Sequence, residues 1–420
     1  MSKRTQNRIA LFFGAMTLLH VIVLRQEWWA IPIGFPDFSI FYTAGTILRE
    51  GHGNELYDQQ LQEAVQGSFA AEGIANRGSI LPYFHPPFEA VFFVPFTFVP
   101  YLAAYLIFAA LNLAFVISTC LILRKQLLIF SSLPLWLWIL TALGFTPIFI
   151  ALMQGQDSIF LLFCYAMAYV SLRRSSDLQA GAWLGFGLCK YHLLLPFMLA
   201  FLMERRKKVI AGFLLVVVVL GIVSFVAIGW QGLRSYPQFA WMSEHSMRYR
   251  WNNFHGNTTN LRGLLLSLLP FRWQLHSRAV LIVVIALSMC VLSVVDYAWV
   301  RANPENSVCV DLRFALNLLG TLLVSYHTFA QDMSLLFMAI LLVFNVLFRN
   351  PKLGEWQRKA LLVSGALLFC APIYLVLVLA FGQLSAITWL LLFFFISLLS
   401  LMFRSQASRR EVAVVQGAPS

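Results

Sequence analysis

Apolar runs of membrane-spanning length recur along this chain and are interrupted by two polar, aromatic segments. The first run covers roughly 9–29. Later ones fall at 101–123, 131–150, 157–172, 179–203, 209–230, 279–300, 312–325, 333–348, 360–381 and 384–403. Shorter apolar pieces sit at 86–100, bounded by prolines, and at 263–270. Inside lipid every backbone N–H and C=O must be satisfied within its own segment, so a continuous apolar run predicts a helix. The alternation of an outer-membrane barrel is absent. The pattern predicts an all-α, polytopic integral membrane protein of about 12 or 13 transmembrane or re-entrant helices.

The polar segments, 31–85 and 231–262, are too long for turns and read as a first and a second outer loop. In the first, Phe38, Phe41, Gly45 and Leu48 share one face of a helix predicted over 37–50, which would lie along the membrane surface. The stretch "ELYDQQLQEAVQGSFAAEG" (55–73) predicts a second surface helix. We expect one membrane-embedded domain over 1–410 and a disordered cytoplasmic tail over 411–420.

Composition strengthens this picture. The 420 residues are 60% hydrophobic and 11% charged, with a mean hydropathy of +0.76. A soluble domain carries about a quarter charged residues. The net charge is +12, and its basic residues gather at run ends: near Lys3 and Arg4, at Arg124–Lys125, Arg173–Arg174, Arg205–Lys208, Arg349 and Arg404. That is the positive-inside pattern of an inner (plasma) membrane protein, and no nucleic-acid stripe is present. The amino-terminal run resembles a signal peptide without a small-residue cleavage site, so we expect an uncleaved first span with Trp28 and Trp29 at the interface. Six scattered cysteines, none in a CxxC pair, read as packing residues. If 86–100 and 101–123 both cross, Arg124–Lys125 and Arg173–Arg174 face outward. If 86–100 is re-entrant and 179–203 forms two short legs, these pairs all face inward. The second arrangement obeys the charge rule and brings "QGQD" (154–157) and "KYH" (190–192) to the side of Asp37.

Polar groups among apolar runs are costly, and each needs an account. Asp37 stands just past the first run, where it is either a helix N-cap or a reacting carboxylate. Gln154 and Gln156 flank Gly155, either as capping amides of a tight turn or as partners for sugar hydroxyls, with Gly155 letting a ligand approach the backbone. Lys190 lies midway along an apolar run, so a full-span helix would bury its ammonium in lipid; a break there, facing a polar cavity and an anion, costs less. His192 follows it. His327 and Asp332 crowd one turn with Tyr326 and Gln331, and His85 precedes Pro86–Pro87. Arg250 and Asn257 lie in the second polar segment, where Arg248, Arg250 and His255 could hold an anionic lipid. Asn257 also begins an "NTT" glycosylation pattern that arises readily by chance.

One outer carboxylate, a few cations and many amides suit the attack of a deprotonated hydroxyl on a glycosyl phosphodiester. The phosphate leaves as a stable anion that cations stabilise, so one carboxylate base is enough. A glycoside hydrolase would need two facing carboxylates. The absence of a nucleotide-binding domain disfavours a nucleotide-sugar donor. A transporter or flippase of lipid-linked sugars is the main rival, and it predicts polar residues near the bilayer midplane. No metal is required by the spacing, although Asp37, Asp157 and Asp332 could ligate Mg²⁺.

In "DFSIFYTAG", "LYD", "HPPFEAVFFVPFTFVP", "QGQDSIFLLF", "GAWLGFGLCKYHLLLPFMLAFLMERRKK", "NTTNLRGLL" and "SYHTFAQDMSLL", over most of residues 10–350, the chain resembles glycosyltransferase family 87. These are GT-C mannosyltransferases that use a polyprenyl-phosphate sugar; no cofactor is expected here, and a divalent metal is possible but not required by the sequence. The resemblance implies a GT-C fold, a polyprenyl-phosphate-mannose donor, a lipid or glycan acceptor and a site at the outer face. It also implies that Asp37 is the general base and that His327 lies near the donor phosphate. Tyr42, His85, Gln154, Gln156, Asp157, Lys190, His192, Arg250, Asn257 and Asp332 are the expected substrate-binding residues. The family commonly has Lys-Pro at Lys190–Tyr191 and Asn at Asp157.

Overall fold

The structure, a computed structural model, describes residues 3–245, 255–269, 278–301, 307–350 and 354–415. Arg248 and Arg250 lie outside the described residues. All regular structure among those described is helical. The helices are α1 (Lys3–Glu27), α2 (Phe38–Arg49), α3 (Gln59–Arg77), α4 (Pro87–Phe93), α5 (Tyr101–Gln126), α6 (Leu135–Leu143), α7 (Thr146–Gln154), α8 (Ser158–Arg173) and α9 (Asp177–Phe186). They continue with α10 (Tyr191–Met203), α11 (Lys207–His245), α12 (Leu261–Ser267), α13 (Arg278–Arg301), α14 (Ser307–Val324), α15 (Leu335–Arg349), α16 (Glu355–Leu368), α17 (Ala371–Leu379) and α18 (Ile387–Val415).

Among the described residues, seven helical segments are long and apolar enough to cross a membrane, and two bent pairs bring the number to nine at most. Shorter apolar helices cover 87–98 and 158–173. The chain is a multi-pass membrane protein. Its lipid-facing surfaces are those that water would not tolerate: Leu215, Val218, Ile222 and Val226 of α11 and Ile282 and Ile285 of α13 are all more than half exposed. The expected single run at 131–150 is instead two helices bent by 74°, α6 and α7. Phe145 is extended between them and Pro147 sits at the start of α7, where its missing N–H costs nothing. The segment 231–262 does not begin as a loop, because α11 continues through it to His245 across a kink at Gly229. The last helix likewise runs to Val415, into the stretch expected as a tail.

The bundle has two chemically different ends, and side-chain pairs show which termini share an end. Arg206 forms a two-point contact with Asp177, with N···O distances of 2.6 and 3.1 Å. Residues 177–203 are long and apolar enough to cross once, but this pair puts both of their ends together. The segment therefore goes in as α9, turns at 187–190, and returns as α10. This is the two-legged arrangement favoured by the charge pattern. At the same end, Arg173 pairs with Asp311 at 3.0 Å, Asn345 bonds both Asp311 and the Ile129 backbone, and Glu204 joins Arg313 and Trp299. The opposite ends of α8, α10 and α15 carry Asp157, Lys190 and Asp332.

Close helix packing sustains the re-entrant pair. A Cβ at Gly181 of α9 would stand 1.9 Å from the Val209 carbonyl oxygen, and one at Gly212 of α11 would stand 2.0 Å from that of Leu178. Small residues here let the two backbones touch, the usual basis of helix association in lipid. Gly212→Val is expected to separate α9 from α11 and shift the Lys190 turn. The protein should then melt several degrees lower in detergent, by about 2–4 °C for each kcal/mol lost. An unchanged melting curve would show that the contact is dispensable.

Candidate functional site

Asp37 begins α2, yet its side chain makes no cap hydrogen bond. Its Oδ2 instead accepts a 2.6 Å hydrogen bond from Gln156 Nε2, while its backbone N–H donates to Gln154 Oε1 at 3.1 Å. The cap reading of Asp37 is therefore wrong, and both glutamines of the QGQD turn are spent on holding it. Arg77, at the end of α3, donates to the carbonyls of Gly34 and Phe35 at 3.0 and 2.7 Å, fixing the approach to Asp37.

Gly155 has φ +61°, which a side chain would strain, and a Cβ there would lie 2.8 Å from Phe38 Cβ. The glycine admits Phe38 of α2 rather than a ligand. It thereby sets the distance between Asp37 and the two amides. Asn112 of α5 donates to the Gln156 carbonyl at 3.0 Å and braces the same turn.

Gln156 also faces Lys190, whose Nζ donates to its Oε1 at 3.3 Å. The helix breaks at Lys190, as expected, in a short 3-10 turn over Gly187–Lys190. The anions it meets are the protein's own. Lys190 Nζ lies 3.1 Å from Asp157 Oδ1 and 2.9 Å from Asp332 Oδ1. Asp332 is further held by Ser158 Oγ at 2.9 Å and by the Phe329 N–H at 3.0 Å. All three charged groups are buried. The expectation that Lys190 faces a substrate phosphate needs correction, because its charge is already divided between two carboxylates.

His327 lies in the loop before Asp332, its ring stacked against Phe329 and edge-on to Tyr326. His192, half-buried, is electrostatically coupled to Asp332, Lys190, His327 and His85, so it belongs to the same cluster. Residues 258–263 pack on this loop. Thr259 donates to the Thr328 carbonyl at 3.0 Å, and Asn260 Nδ2 to that of Ser325 at 2.7 Å. Arg262 is thereby laid over the Tyr326 ring, 4.0 Å from its centre. From this point an apolar groove of about 190 Å³ runs between α13 and α14, walled by Leu281, Val284, Ile285 and Leu323.

The structure brings together Asp37, Gln154, Gln156, Asp157, Lys190, His192, His327 and Asp332, with His85 beside them. It does not bring in Tyr42, whose hydroxyl donates to the Val99 carbonyl at 2.9 Å and whose ring packs on Phe69 and Tyr101. Asn257 is exposed in a short 3-10 turn. Sequence reasoning passes over Glu89, buried in α4 with His85 Nδ1 2.9 Å from its Oε2. The signal was present, since Glu89 is the lone charge in an apolar run. It also passes over Arg262, which looks like an ordinary basic residue until Tyr326 comes under it.

The sequence profile of glycosyltransferase family 87 matches residues 83–326 of the chain. The chain belongs to glycosyltransferase family 87. It is a membrane glycosyltransferase, an enzyme that uses a sugar donor and an acceptor. No curated protein and no solved structure matches it. In this family 87 protein the matched region holds Glu89, Gln156, Asp157 and Lys190. Asp37 lies before it and His327 and Asp332 just after it; hydrogen bonds and ion pairs join Asp37 and Asp332 to the same cluster.

Burial pushes the Asp37 carboxyl above its ordinary range, and the Gln156 hydrogen bond and the nearby Lys190 and Arg77 charges offset this only in part. Ionised Asp37 thus works against folding. The cost is absent below the ordinary carboxylate pKa and complete above the raised one. Asp37→Asn is therefore expected to raise the melting temperature at neutral pH by about 2 °C, with the gain shrinking in acid. A variant that melts lower at neutral pH than at low pH, relative to wild type, would contradict this.

Proposed function

We propose that this family 87 protein transfers a sugar, mannose by first choice, from a polyprenyl-phosphate donor to a lipid or glycan acceptor at the outer face of the plasma (inner) membrane. Asp37 removes the proton of the acceptor hydroxyl. The oxygen attacks the anomeric carbon from the face opposite the phosphate, the carbon–phosphate oxygen bond breaks, and the configuration inverts. The polyprenyl phosphate leaves as an anion, so no protonated acid is needed. Asp37 Oδ2 is engaged by Gln156, and Oδ1 accepts no hydrogen bond among the described residues, which leaves it for the hydroxyl proton.

The observation that carries this reading is the hydrogen-bonded line from Asp37 through Gln156 to Lys190, at the same end of the bundle as His327. Lys190 is neutralised by its own carboxylates, so the phosphate goes to Arg262, His327 and His192. The apolar groove leading away from Arg262 suits the prenyl chain, whose many methyl-bearing units gain by leaving water. The polar groups gather at one end of the bundle, with the positive-inside residues at the other, which supports an outer-face site and speaks against a flippase path.

Protein reconstituted in lipid, given radiolabelled polyprenyl-phosphate mannose and extracted membrane lipids, should release polyprenyl phosphate. Asp37→Asn should lower turnover by about 10²–10⁴-fold while still binding donor. Near-normal turnover in that variant would remove Asp37 as the base. Ser288→Trp, which fills the groove, should raise KM for a long-chain donor at least tenfold and leave a short-chain analogue unaffected. Equal effects on both donors would move the chain elsewhere.

A further inference from the structure

Beside the Asp37–Lys190 line stands a group of ligating side chains that the transfer reaction does not employ. His85 ends the extended stretch before Pro86–Pro87, Glu89 follows one turn into α4, and Asp157 closes the QGQD turn. One ring nitrogen of His85 and one carboxylate oxygen from each acid lie within 4.8 Å of one another. Glu89 is 3% exposed and Asp157 4%, and the His85 side chain is 10% exposed.

Two further observations separate this cluster from an ordinary ion pair. Glu89 Oε2 faces His85 Nδ1 at 2.9 Å, while the buried carboxylates of Glu89 and Asp157, both acceptors, face each other with no other donor on Glu89 Oε1. A buried carboxylate oxygen left without a donor is costly, and native structures rarely leave one. Asp157 is also tied to Lys190 at 3.1 Å, so the cluster is joined directly to the ammonium that organises the site.

We propose that His85, Glu89 and Asp157 bind a divalent transition-metal cation, Mn²⁺ or Zn²⁺ by the chemistry of the set. One imidazole with two carboxylates suits these ions better than Mg²⁺, which favours oxygen ligands throughout. Ligand atoms around such an ion stand about 3–4 Å apart, so the cluster closes slightly on binding. The ion ties the 83–89 stretch to the turn whose Gln156 grips Asp37, a positioning role. The inference does not depend on the proposed transfer reaction.

Full-length protein in detergent, stripped with EDTA and titrated with Mn²⁺, tests it by bound metal per chain and by pulsed EPR. We expect about one equivalent per chain, with electron spin-echo modulation from an imidazole ¹⁴N that disappears in His85→Ala. Glu89→Gln and Asp157→Asn should each weaken binding at least tenfold. Asp296→Asn, which removes an acid on α13 remote from the cluster, should leave it unchanged. No bound Mn²⁺ in wild type, or bound Mn²⁺ without nitrogen coupling, overturns the proposal even if the variants fail to fold. A protonated-carboxyl infrared band in wild type that persists with Mn²⁺ and vanishes in Glu89→Gln overturns it too, because a proton would then hold Glu89 against Asp157.

Discussion

The site is organised by one buried ammonium shared among several acceptors. Lys190 reaches Asp157, Asp332 and the Gln156 amide at 3.1, 2.9 and 3.3 Å. Gln156 and Asp157 belong to the QGQD turn and Asp332 to the 325–334 loop, so a single charge fixes the mutual positions of those two stretches and the helix break at 187–190. A buried ion of this kind is stable only when its geometry is complete, and loss of any partner leaves an unpaired charge. Gln156 passes that constraint on to Asp37. Its carbonyl oxygen faces the ammonium, so its amide nitrogen must point at the carboxylate.

The helices serve this arrangement by dividing the molecule into a basic end and an acidic one. The Asp177–Arg206 and Arg173–Asp311 pairs close the basic end. The re-entrant α9–α10 pair then lifts Lys190 to the opposite end without a full crossing. Charge distribution and topology are thus two views of the same fact. A full-span helix at 177–203 would bury the ammonium away from every carboxylate that stabilises it.

Much of this was legible in the sequence. Apolar run length fixes the class, because lipid leaves helices as the solution, and the break at Lys190 follows from the cost of a charge mid-run. The residues misread are those whose roles depend on a distant partner. For Asp37 the local pattern leaves cap and reacting carboxylate open until Gln156 is placed beside it, and Tyr42 looks like a ligand until its hydroxyl finds the Val99 carbonyl. Gly155 suggests room for a substrate, but the space is taken by Phe38. Glu89 is signalled as the lone charge of an apolar run, but Arg262 escapes notice because neither local pattern nor periodicity says that Tyr326 waits opposite it. The bend at 144–147 hides inside an unbroken apolar run, where Pro147 is the visible clue.

The central claim is that Gln156 couples the Asp37 base to Lys190, and the pH dependence of kcat/KM in wild type and Gln156→Leu tests it most directly. The Gln156 N–H stabilises the ionised form of Asp37. Its loss should therefore move the acid limb of the profile to higher pH and lower the plateau, with donor affinity little changed. An acid limb that stays where it is in wild type would mean that Asp37 does not titrate in the reaction or is not held by Gln156, and the account would fail.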